Sequence, residues 1–170
     1  MQTIKKIGKI LVPTDFSYLS LVAMEYAASF SIIYDAPIYM IHVIDDIPAL
    51  TFHTVDLDSE TILRDAEEKV REEFKNLISS RVTKPNSITT VVRRGQAHKE
   101  IVKFAQEEGI DLIVLATHGR TGLAHVLMGS VAEKVVRHSP VPVLAVKPLS
   151  MQSNFIEEKD IEEQLHMTSE

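Results

Sequence analysis

The chain contains no cysteine and no tryptophan. Without cysteine there is no disulfide framework and no thiol chemistry, which fits a reducing cytosol, so a cytoplasmic location is expected. Without tryptophan and without a basic stripe, the stacking surface and electrostatic footprint of a nucleic-acid binder are missing. No partnership with nucleic acid is expected. Long hydrophobic runs are also absent: nothing approaches the roughly 18 consecutive apolar residues of a membrane span, and the apolar run near the N-terminus is too short for a signal peptide. No membrane association is expected either.

Several motifs are missing as well. The only Gly-Lys pair, Gly8-Lys9, precedes the first predicted strand and lacks the other glycine of a P-loop. No G-x-G-x-x-G follows that strand, which excludes a dinucleotide fingerprint. The seven histidines show no H-E-x-x-H spacing, so no protein-held metal is expected, and there is no nucleophile elbow. His42 falls within a strand pattern and reads as a core or edge histidine. A receiver-type phosphoacceptor domain would need an aspartate where the third strand ends in Arg93-Arg94, and a helix after Lys147-Pro148. Neither is present.

What is present suffices for one domain. Of 170 residues, 45% are hydrophobic, enough for a full core. The net charge of −6 is uneven: residues 151–170 hold six acidic residues against Lys159, leaving the rest close to neutral. We expect a domain over residues 1–149 and an acidic tail over 150–170, in which Phe155, Ile161 and Leu165 could line a short helix or remain disordered.

The elements follow in order. Lys9 to Pro13 reads as a central strand, nearly all apolar. Ser17 is a candidate N-cap for a helix to about Tyr34, with Leu19, Val22, Ala23, Tyr26, Phe30 and Ile33 at inward spacing. Pro37 to Ile44 is the second strand, followed by a loop over 45–58. A long charged helix starts at Asp58 or Ser59 and turns Ile62, Ala66, Val70, Phe74 and Leu77 inward. Ser87 to Arg93 alternates in polarity, as an edge strand does. The next helix buries Ala97, Ile101, Phe104 and Ala105 and stops at Gly109. Leu112 to Ala116 and Val141 to Val146 are the last two strands. Alternating strands and helices of this kind give an α/β fold, an open doubly wound five-stranded parallel sheet with helices on both faces.

The working part is the connection after the fourth strand. Glycine is scarce, at six, yet Gly119, Gly122 and Gly129 all fall between Thr117 and Gly129. A long Gly-rich loop at the carboxyl end of a parallel strand is where such sheets bind ligands. Ser130 and Glu133 read as a capping box that starts a helix at Gly129–Ser130. The unpaired N–H groups there suit a phosphate, and the glycines allow close approach. Asp15, at the carboxyl end of the first strand, could accept hydrogen bonds from a ribose or cap the first helix. His118 and Arg120 could face phosphate oxygens or decorate an exposed loop.

The run ATHGRTGLAHVLMGSVAEKVVRHSPVPVLAVK, from Ala116 to Lys147, resembles the signature of the universal stress protein family, with KILVPTDFS and IHVID as supporting matches. The resemblance covers residues 5–148. Nucleotide-binding members of that family carry G-x2-G-x9-G-[ST]. Gly119 and Gly129-Ser130 match its second half, whereas Ala116 stands at the first glycine and adds a methyl group. The resemblance implies the strand order 3-2-1-4-5, which brings the first and fourth strands side by side. It implies that Pro13, Thr14 and Asp15 hold adenine and ribose, with the Val43 backbone reading the adenine edge. Gly119, Gly129, Ser130 and Val131 would hold the phosphates of ATP (or ADP or AMP), with Mg or Mn bridging them.

The function so implied is that of a cytoplasmic ATP-binding stress-response protein, a nucleotide-dependent regulator or chaperone-like partner of protein clients. The alternatives are a slow ATPase or phosphate-transferring enzyme using His118 or Ser130, and a member that works by protein contacts alone. A homodimer is expected through the last strand, Val141 to Val146, apolar on both faces yet at the sheet edge.

Overall fold

The computed structural model of the protein describes residues 6–45, 59–81, 88–118 and 128–147. The expected loop beyond Asp45, the residues Gly119, Arg120 and Gly122, and the acidic tail with Phe155, Ile161 and Leu165 lie outside them. The elements are β1 (Ile10–Pro13), α1 (Tyr18–Tyr34), β2 (Ile38–Ile44), α2 (Ser59–Arg81), β3 (Ile88–Arg94), α3 (Ala97–Glu107), β4 (Leu112–Ala116), α4 (Ser130–His138) and β5 (Val143–Val146). Every ladder is parallel, and the sheet order is β3-β2-β1-β4-β5. The α/β class and the order 3-2-1-4-5 are as expected.

Side-chain alternation along β1 explains the two cores. Ile10, Leu11 and Val12 are each fully buried, as a strand covered on both faces requires. Ile10 and Val12 point into a core with Met24 and Ala27 of α1 and Phe74 of α2. Leu11 points the other way, into a core with Ile101 and Phe104 of α3 and Ala132 and Val135 of α4. β3 is an edge strand, and its Thr89 and Thr90 are exposed.

Three details differ from the pattern read in the sequence. In α1 the buried residues are Ser20, Ala23, Met24, Ala27 and Ser31, while Tyr26 is 49% and Ile33 70% exposed. Glu25 is the only charge in this 17-residue helix, so polarity does not mark an outer face. The sheet takes the side with small residues, which allows the closest approach. The capping box is also absent: Gly129 is the N-cap, Ser130 is the first helical residue and no side chain caps the helix. Glu133 instead accepts from Arg137 Nη2 at 2.9 Å, an i,i+4 pair on the exposed face. Finally, β5 begins at Val143, because Val141 is held in a turn by Ser139 Oγ and Pro142 has no N–H for the ladder.

Ser17 does cap α1, accepting from Ser20 N at 3.3 Å. Ser17→Ala should cost about 1 kcal/mol, visible as a drop of roughly 2–4 °C in thermal midpoint. An unchanged midpoint would mean that the neighbouring turn holds the helix start without it.

Candidate functional site

The site follows from where the sheet opens. β1 pairs with β2 from Ile10 through Pro13, and β4 pairs with β5 from Ile113 through Ala116. The ladder between β1 and β4 holds only Ile10–Leu112 and Leu11–Ile113. From β1 the chain winds towards β2, and from β4 towards β5. Their carboxyl ends therefore flank a crevice at the switch point of the sheet.

On the β1 side, half-buried Pro13 ends the strand, and Thr14 is buried. Thr14 N donates to Ile41 O at 2.9 Å. Its Oγ1 lies 2.9 Å from Ser20 Oγ and accepts from Phe16 N at 3.0 Å. Asp15 is half-buried and its Oδ1 accepts from Ser17 N at 3.0 Å. It closes a turn into α1, and the cap proper is Ser17. Phe16 has φ of 62°, a strained conformation for a bulky residue. Its ring lies 4.8 Å from that of His42 and edge-on to Phe74 at 5.0 Å. His42 Nδ1 in turn lies 2.8 Å from Thr14 O. A packed chain thus runs from the core through Phe16 and His42 to the crevice wall.

Val43 sits one strand further out, beyond the last residue of β1. Ile41 O faces β1, where Thr14 N meets it, and Ile44 O faces β3, where Gly95 N meets it. By the alternation of a strand, the main chain of Val43 turns to the β1 side. That is the orientation needed for a backbone contact above β1.

On the β4 side, Ala116 is half-buried, and Thr117 and His118 are buried. Thr117 N donates to Val146 O at 2.9 Å, and Gly129 N donates to Thr117 O at 2.7 Å. Thr117 Oγ1 lies 2.9 Å from His118 Nδ1. These contacts hold the start of α4 against the end of β4. A Cβ at Gly129 would lie 3.3 Å from Thr117 O and 3.8 Å from His118 Cα, so a side chain here would press on the end of β4. The φ of −67° and ψ of 152° at Gly129 suit any residue. Ser130 and Val131 are exposed at the helix start, where amide groups have no intrahelical acceptor and the helix carries partial positive charge.

Of the residues selected from the sequence, Pro13, Thr14, Asp15 and Val43 thus border one side of the crevice. Ala116, His118, Gly129, Ser130 and Val131 border the other. Gly119 and Arg120 lie outside the described residues. The sequence reading missed Phe16, Thr117 and the supporting role of His42. Their signal is weak in principle, since a hydroxyl or ring that braces a strand end leaves no period or spacing.

Among the described residues, no helix is long and apolar enough to cross a membrane. The model of the universal stress protein family matches residues 6–147. A universal stress protein of Methanocaldococcus jannaschii is 34% identical over 152 residues, which span 82% of this chain and 94% of that protein. Its solved structure superposes with a TM-score of 0.68 at 32% identity, covering 85% of this chain and 98% of its own. Two further solved universal stress proteins are similar in fold. One, in complex with cAMP, has a TM-score of 0.55 at 24% identity over 84% of this chain and 98% of its own. The other, from Archaeoglobus fulgidus in complex with dAMP, has a TM-score of 0.57 at 20% identity over 84% of this chain and all of its own. With sheet order, crevice and matched length in agreement, the chain belongs to the universal stress protein family.

Proposed function

We propose that the chain binds an adenine nucleotide between the carboxyl ends of β1 and β4 and acts as a nucleotide-dependent regulator or chaperone-like partner. The observation that carries this reading is the early end of the β1–β4 ladder beside a helix start with a glycine at its cap. That start offers N–H donors to phosphate oxygens. Asp15 offers a carboxylate to ribose hydroxyls, and the Val43 backbone offers a donor and an acceptor to adenine. The fold also holds an adenine nucleotide in the two relatives solved with cAMP and dAMP. ATP, ADP and AMP share the groups that these residues address. Among the described residues no group of three His, Cys, Asp or Glu side chains could hold a metal ion. A Mg or Mn ion would bridge the phosphate oxygens.

A dedicated hydrolase is the weaker reading, because Asp15 is tied to Ser17 N and assigned to the ribose, not to an attacking water. The test is calorimetric titration of ATP and of inorganic phosphate into wild type and Asp15→Ala. Loss of a hydrogen bond to a charged group should weaken ATP by about 10- to 100-fold and leave phosphate unchanged. Equal ATP affinity in both proteins would remove Asp15 from the site.

The dimer belongs to the same proposal. β5 is an edge of the sheet and has Val143, Leu144 and Ala145 half-buried. A second copy pairing antiparallel across a two-fold axis would satisfy both edges. Light scattering should give twice the chain mass at micromolar concentration. A monomer mass would contradict the pairing.

A further inference from the structure

We infer that His98 and His138 form a binding site for a transition-metal dication of the Cu2+, Ni2+ or Zn2+ class, bridging α3 and α4. The two rings come from different helices of one core, with centroids 6.3 Å apart and planes inclined by 43°. With metal–nitrogen bonds of about 2.0–2.1 Å, two imidazoles on one ion have ring centres roughly 4.5 Å apart when cis and 6.3 Å when trans. The observed separation is that of the trans arrangement, which suits the tetragonal geometry of Cu2+ and Ni2+.

The tautomer is right as well. His138 Nδ1 lies 2.8 Å from Lys134 O. A carbonyl only accepts, so Nδ1 carries the hydrogen and the neutral ring presents its lone pair at Nε2. A ligating histidine is commonly oriented by such a bond to a backbone carbonyl. The ammonium groups of Lys134 and Lys99 lie close enough to act on His98.

The same lysines oppose a dication. The ions that bind are therefore those with the strongest bonds to imidazole, Cu2+ ahead of Ni2+ and Zn2+. Mg2+, which seeks oxygen ligands, is excluded. No third protein ligand joins the pair among the described residues, so water completes the coordination. The two histidines stand 40 positions apart in the sequence, so no short spacing motif reveals them.

The test uses the whole chain, stripped of metal with chelator and then freed of the chelator. Titration with Cu2+ should show saturable sub-millimolar binding, with nitrogen couplings from two imidazoles in the electron paramagnetic resonance spectrum. Ni2+ or Zn2+, but not Mg2+, should raise the thermal midpoint. His98→Ala and His138→Ala should each weaken binding at least tenfold and remove that spectrum, while circular dichroism reports an intact fold. A two-imidazole spectrum that persists in the double variant would assign the ion elsewhere and overturn the site. Absence of saturable binding to wild type would overturn it equally. ATP affinity, measured on the same variants, should be unchanged, which separates this site from the crevice.

Discussion

Replacing Gly129 by valine is expected to lower ATP affinity by about a hundredfold or more, the equivalent of two lost hydrogen bonds to a charged group. Backbone strain is not the reason, since φ is −67° there. The obstacle is room. The first carbon of the new side chain would already sit 3.3 Å from the carbonyl oxygen of Thr117, and valine adds two methyl groups to that carbon. These would occupy the approach to the amides of Ser130 and Val131 or push α4 away from β4. Gly129→Ala should fall between wild type and valine. The sheet should survive both changes, because Leu112, Ile113, Val114 and Leu115 are buried independently of this position. Wild-type affinity in a folded Gly129→Val protein would rule out phosphate binding at this helix start.

Phe74→Ala should give the largest loss of stability, about 3–5 kcal/mol for a buried phenylalanine, or roughly 6–20 °C in thermal midpoint. Phe74 is only 2% exposed and is among the largest fully buried side chains. It anchors the charged helix α2 to the core under β1 and β2, and it also supports the crevice. Its ring braces Phe16, Phe16 packs on His42, and His42 meets the carbonyl oxygen of Thr14. Nucleotide affinity should therefore fall as well, although Phe74 touches no ligand group. Tyr26→Ala is the matched control: 49% exposed on α1, it should shift stability by no more than about 0.5 kcal/mol. A small effect of Phe74→Ala beside a large one of Tyr26→Ala would show that the packing of α1 and α2 has been misassigned.

These two aromatic residues also show where sequence patterns carry information. In α2 the apolar positions stand out against a charged background, so Val70 and Phe74 were identifiable as core, and both are buried. In α1 nearly every position is apolar or small and several stripes fit equally well: of the expected one, Ala23 is buried and Val22 and Phe30 pack on the core, whereas Tyr26 and Ile33 are exposed. Strand order was legible through family resemblance, since alternation of strands and helices leaves more than one order open. At the site, Asp15 and Gly129 could be selected because a carboxylate after a central strand and a glycine before a helix are local signals. The Ser130–Glu133 pairing was misleading: the spacing of a capping box is present, but Gly129 takes the cap position and Glu133 turns to Arg137. Thr117 and His42 act through hydrogen bonds across the sheet, and such partners are invisible until the strands are placed.

Occupancy of the crevice by an adenine nucleotide is read by isothermal calorimetry of the purified chain with ATP, ADP and AMP in the presence of Mg2+. Saturable binding of at least one of them is expected, with one nucleotide per chain and a rise in thermal midpoint that follows occupancy. Absence of binding to all three at millimolar concentration, by a chain shown to be folded, would contradict it.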